Sequence, residues 1–165
     1  MTTYFAFLRG INVTGNNMMR MADLKALCTS LGFRDVQTVL QSGNVLFRAR
    51  RATAKQIEDA VGVRVMLRTE AELREVVANN PFEPVRNPSQ LLVAFLERDA
   101  PADAEARLRN AYKGPDAFHV GRRELYCDYL EGLGKSKLTH TLLERTLGMA
   151  ATMRNWNTVT RLLSL

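Results

Sequence analysis

Two runs, Tyr4-Phe5-Ala6-Phe7-Leu8 and Leu91-Leu92-Val93-Ala94-Phe95-Leu96, are apolar at every position, as strands covered on both faces must be. Each opens the same succession of helix, hairpin and helix, and that repetition limits the fold more than any single motif. After the first run, a loop with Gly10 and Gly15 leads into an apolar stripe at helical spacing, Met21, Leu24, Leu27, Cys28 and Leu31, ended by Gly32. Residues 39–47, VLQSGNVLF, read as a hairpin turning at Ser42, Gly43 and Asn44. Thr53 with Gln56 forms a capping box before Ile57, Ala60 and Val61, and GVRVMLR supplies the next strand. A second box, Thr69 with Glu72, opens a helix through Leu73, Val76 and Val77 that must stop before Pro81.

The second run repeats the order. Pro101 to Tyr112 reads as a helix ended by Gly114, 117–120 with 124–129 as a hairpin, and Ser136 to Leu147 as a helix stopped by Gly148. The runs share Ala-Phe-Leu, at 6–8 and 94–96. The expected fold is therefore α+β: two ferredoxin-like βαββα units from an internal duplication, the second ending in a C-terminal helix. That helix carries Trp156, Val159, Leu162 and Leu163 and stands in place of the fourth strand. Pro81, Pro84 and Pro88 mark the boundary, giving an N-terminal subdomain over 1–80, a Pro-rich connector over 81–90 and a C-terminal subdomain over 91–165. One continuous sheet or two would satisfy this pattern.

With 46% hydrophobic residues in 165, such a chain can bury a core without metal or disulfide staples. Cys28 and Cys127 are the only cysteines, which suits a reducing, cytoplasmic setting. No basic leader and no apolar stretch of about 20 residues is present, so neither a signal nor a membrane span is expected. Lys and Arg exceed Asp and Glu by 23 − 17 = 6; residues 1–82 carry 11 − 7 = 4 of this and the remainder 12 − 10 = 2. The excess favours anionic partners or a merely solvated surface.

The sharpest local signal is Gly132-Leu133-Gly134-Lys135-Ser136-Lys137, between a strand and a helix. Free amides in the first turn, Ser136 as N-cap and two lysines would favour a phosphate or carboxylate. The alternative is a plain turn with a capping serine and solvated lysines. A nucleotide-hydrolysing phosphate loop is disfavoured, because the glycine it needs five residues before Gly134 is Tyr129. Arg154 and Asn155 precede the last helix; Asn155 could cap it, and Arg154 could present a bidentate fork to a ligand or bond backbone carbonyls. Secondary candidates are Arg9, Asn12, Gly15, Asn16 and Arg20 around the first loop, and Gln41, Ser42 and Asn44 at the first hairpin turn. His119 and His140 have no Cys, Asp or Glu at ligand spacing, so no metal is expected, and no cofactor is implied.

Four motifs, LRGINV at 8–13, QSGNV at 41–45, GKSKL at 134–138 and TMRNWNTV at 152–159, resemble domain-of-unknown-function family 1697 of bacterial proteins. The resemblance implies two ferredoxin-like halves and no particular activity. The family pattern implies a second glycine, a lysine and a proline after LRGINV, where this chain has Thr14, Met18 and Arg20; a phosphate role for that loop would need Arg20 as substitute.

Three functions remain open. The first is a binding module for a phosphate-bearing small ligand or nucleic acid, resting on the basic balance, the Gly-Lys-Ser-Lys loop and Arg154. RNA reading by stacked bases is disfavoured, since the third strand offers Phe47 alone. The second is an enzyme acting on a small anionic metabolite, and the third a regulatory or assembly protein. A monomer or weak homodimer is expected in each case.

Overall fold

The computed structural model describes residues 1–11, 18–40 and 43–165. The chain divides into two compact units, Met1–Glu75 and Val76–Leu165.

The first unit runs β1 (Thr2–Leu8), α1 (Met21–Ser30), β2 (Arg34–Val39), β3 (Asn44–Ala49), α2 (Ala54–Val61) and β4 (Val65–Thr69). Its strands form one antiparallel sheet in the order β2-β3-β1-β4. β1 is thus central, which is why its run carries no polar position: Phe5 faces Leu46 on one neighbour and Arg68 on the other. One face of the sheet carries Ala6, Leu8, Val45, Phe47 and Val65, and α1 and α2 cover it with Leu24, Cys28 and Ile57. Phe33 stacks on Phe47 with ring centroids 4.1 Å apart. Burial pushes the Cys28 thiol up to about 11, so it is a packing residue with little thiolate.

Both capping boxes form. Thr53 accepts from the Gln56 amide while the Gln56 side chain accepts from the Thr53 amide, and Thr69 and Glu72 exchange the same pair of bonds. The second opens α3 (Glu70–Ala78), which crosses the division between the units ahead of the stretch 81–90.

The second unit contains β5 (Leu91–Leu96), α4 (Ala104–Ala111), β6 (Ala117–Val120), β7 (Glu124–Asp128), α5 (His140–Leu147), β8 (Ala151–Asn155) and α6 (Trp156–Leu163). Its sheet order, β6-β7-β5-β8, repeats that of the first unit strand for strand. Leu108 of α4 and Leu143 and Leu147 of α5 pack on Ala94, Leu96, Leu125 and Cys127.

The duplication is therefore more complete than the sequence indicated. A fourth strand is present, β8, paired with β5 from Leu92↔Asn155 to Leu96↔Ala151, and α6 is added after it instead of replacing it. Asn155 ends the strand and also caps the helix, its side chain accepting from the Thr158 amide at 2.9 Å. No turn residue separates the two elements. Thr69 plays the same double part between β4 and α3. An arginine precedes the cap in both units, Arg68 and Arg154, and both are buried.

Candidate functional site

The exit of α4, the exit of β7 and the loop leading to α5 converge in the second unit on a cleft of about 730 Å³. Tyr112, Lys113, Asp116, Lys135, Ser136 and Lys137 line it, with Leu130 and Pro115 as apolar wall. Its geometry is set by one carboxylate. Asp116 Oδ2 accepts from the Ser136 hydroxyl at 2.6 Å and from the Tyr112 hydroxyl at 2.9 Å, while Oδ1 accepts from the Leu130 amide at 2.8 Å. The Tyr112 hydroxyl in turn accepts from the Asp116 amide at 3.0 Å. Three chain segments are so fastened to a single side chain. Burial raises the Asp116 carboxyl, but the bonds from Ser136, Leu130 and Tyr112, with Arg86 nearby, outweigh it and hold the carboxyl below its ordinary value.

The loop itself has a different shape from the expected one. Leu133–Lys135 form a short 3-10 turn entered through Gly132, whose φ of +88° lies in the region glycine tolerates. Gly134 has open space where a side chain would stand and imposes no close approach. Ser136 ends the turn: its hydroxyl donates a hydrogen bond to Asp116 and accepts one from the Leu138 amide at 2.9 Å. It is not a helix N-cap. The penultimate helix starts at His140, and Thr139 caps it, accepting from the Leu142 amide at 3.1 Å. Ser136 Oγ accepts from an amide two residues on, as a cap would, but the chain turns once more there, and the helix begins only after the next residue able to cap. Underneath, the Tyr129 hydroxyl donates to Leu138 O at 2.7 Å, and Arg86 holds Asp128 and the Tyr129 carbonyl.

The cationic content of the cleft is Lys113, Lys135 and Lys137, all exposed, and none makes an ion pair with the described residues. Glu131 also lines the cleft. With Asp116 spent on three donors, the ammonium groups are the part of the site able to meet a ligand, while Leu130 and Pro115 offer it an apolar face.

Gly132, Lys135, Ser136 and Lys137 thus come together, whereas Arg154 and Asn155 do not join them. Arg154 lies in β8 opposite Val93, with its guanidinium donating to Thr152 Oγ1 at 2.7 Å and to Met153 O at 2.9 Å. Burial lowers it to about 10, which leaves it cationic at neutral pH. Asn155 is occupied as a cap. Among the secondary candidates, Asn12, Gly15, Asn16, Gln41 and Ser42 lie outside the described residues. Arg20 is exposed and bonded to Asp23 at 3.1 Å. Arg9 is half-buried, and its amide donates to Arg64 O. Asn44 is not a turn-surface group: it is fully buried in β3, its side chain donating to Val39 O at 2.8 Å. The first loop and the first hairpin do meet, through Leu8 N to Gly43 O at 2.9 Å and through Ile11 packed on Gly43.

Sequence reasoning missed Tyr112, Lys113 and Asp116. The available signal was Lys113-Gly114-Pro115-Asp116, a turn with an acid at its end, but nothing in the pattern says that this acid meets a serine twenty residues on.

The two sheets, their strand orders and the strand-to-helix caps define a duplicated ferredoxin-like α+β protein. The chain belongs to the family described as protein of unknown function (DUF1697), which matches residues 1–126. A conserved bacterial protein of solved structure, SP0830 from Streptococcus pneumoniae, has the same fold with a TM-score of 0.80 at 22% identity, over 99% of this chain and 97% of that one. Comparison with curated proteins gave no match. Among the described residues, no helix is long and apolar enough to cross a membrane.

Proposed function

We propose that the protein is a binding module whose cleft between the exits of α4 and β7 takes a small ligand bearing a phosphate group. The observation that carries this is the convergence of Lys113, Lys135 and Lys137 on a concavity of about 730 Å³, the size of a small-molecule site. The anion would rest against lysine ammonium groups, not against helix amides, because Thr139 already serves the start of α5. Leu130 and Pro115 would take the less polar part of the ligand. Glu131 and Asp116 reduce the local excess to about one positive charge, which suits a phosphate monoester better than a triphosphate. Two buried, free cysteines suit a reducing cytoplasm.

Calorimetric titration with inorganic phosphate and a panel of phosphomonoesters tests the reading. Saturable binding, about tenfold weaker in Lys135→Ala/Lys137→Ala, is the expected result. Absence of binding across the panel, or affinity unchanged by that double substitution, contradicts it.

Nucleic acid as the source of phosphate is the second reading, favoured by the charge of the first unit: residues 1–75 hold 11 basic and 7 acidic groups, 11 − 7 = 4. Binding to mixed oligonucleotides at low ionic strength would support it, and its absence there would remove it.

A further inference from the structure

Three arginines of the first unit converge on a surface depression of about 340 Å³ where β2 begins and β3 ends. They are Arg34, Arg50 and Arg51, all exposed, set around Phe33, Ala49 and Gln56. No carboxylate is among the residues lining this depression. The other exposed cations nearby are balanced: Arg48 by Asp35 at 3.6 Å, and Lys55 by Asp59 at 2.9 Å. The side chains of Arg34, Arg50 and Arg51 make no ion pair or hydrogen bond with the described residues.

The backbone builds this imbalance. Arg34 stands directly across from Arg48 in the β2–β3 ladder, a like-charge pairing that destabilises a sheet. The register then slips between Arg34 and Gln37, with Asp35 at a φ of +52°. The displaced Asp35 carboxylate reaches Arg48, and Arg34 is left without it. Arg50 and Arg51 follow in the run Arg48-Ala49-Arg50-Arg51, which holds no acid. Three guanidinium groups lining one depression without a carboxylate among them favour an anion supplied from outside.

Guanidinium forks match phosphate oxygens in pairs. The depression offers no ring for a base to stack on: Phe33 lies buried against Phe47, and Phe47 is itself fully buried. We infer that Arg34, Arg50 and Arg51 form a docking surface for the phosphodiester backbone of nucleic acid, bound without sequence preference. The inference rests on the nucleic-acid reading above and gives it a place in the first unit.

The test is fluorescence anisotropy of the full chain with labelled duplexes of two unrelated sequences across a salt series. Both sequences should bind equally at low ionic strength. In Arg50→Ala/Arg51→Ala, the slope of log affinity against log salt should shrink by about 2, one unit for each phosphate contact removed. Arg50→Lys/Arg51→Lys should keep the slope and weaken binding, which separates charge loss from misfolding. No binding at low ionic strength overturns both the inference and the nucleic-acid reading. Binding with a slope unaffected by the arginine substitutions overturns the inference and leaves that reading standing. Arginine-dependent binding of a phosphomonoester without duplex binding overturns it too and marks a small-ligand site.

Discussion

Asp116 is the residue on which the cleft depends. Because its folded carboxyl titrates below the ordinary value, its bonds contribute stability that is fully present above about pH 4, the unfolded range, and is lost as pH falls through the folded value. Asp116→Asn keeps one acceptor but turns an amide toward hydroxyl donors, and should cost about 1–2 kcal/mol at neutral pH. Denaturant titrations at pH 7 and pH 3 check this: the deficit should be clear at pH 7 and smaller at pH 3, and an equal deficit at both would mean that its charge is irrelevant. Gly43 is constrained in another way. Its φ is +88°, and an added Cβ would lie 2.6 Å from Ile11 Cδ1, so Gly43→Ala should destabilise by about 2 kcal/mol or more, read as a lowered midpoint of denaturation. Neither dependence is visible in the sequence. A lone aspartate after Gly-Pro and a glycine in a turn look ordinary until the partner that each touches is known.

At the scale of elements, the local signals that involve only near neighbours were legible. The capping boxes at Thr53 and Thr69, the stop at Gly148 and the hairpin pairing of β2 with β3 all form as their residue types require. What failed were signals decided by distant partners. Ser136 had the right residue type and context for a cap, but it ties the loop to Asp116 and to the Leu138 amide, and Thr139 caps α5 instead. β8 was missed because it runs straight into α6 with no glycine or proline between them. Its equivalent, Val65–Thr69 running into α3, was the template that could have revealed it. Thr139→Ala should therefore cost about 1 kcal/mol through the lost cap. Ser136→Ala should instead loosen residues 130–138, seen as faster amide exchange at Leu138 with protection of α5 retained.

Across the molecule, the duplicated fold was readable because two central strands must be apolar throughout, and each carries the same helix and hairpin after it. The candidate site was only half readable. Gly132, Lys135, Ser136 and Lys137 do share one concavity, but the third lysine comes from the exit of α4, and Arg154, which looked like a ligand fork, is packed into β8. Chain topology, not motif order, decides which cations meet. The most direct measurement is a phosphate and phosphomonoester titration followed by amide chemical shifts of the full chain. The account predicts saturable shifts concentrated at residues 111–116 and 130–137, with the amides of β8 unmoved. Shifts absent from those two segments at saturation, or no response to any phosphate ligand, would contradict it.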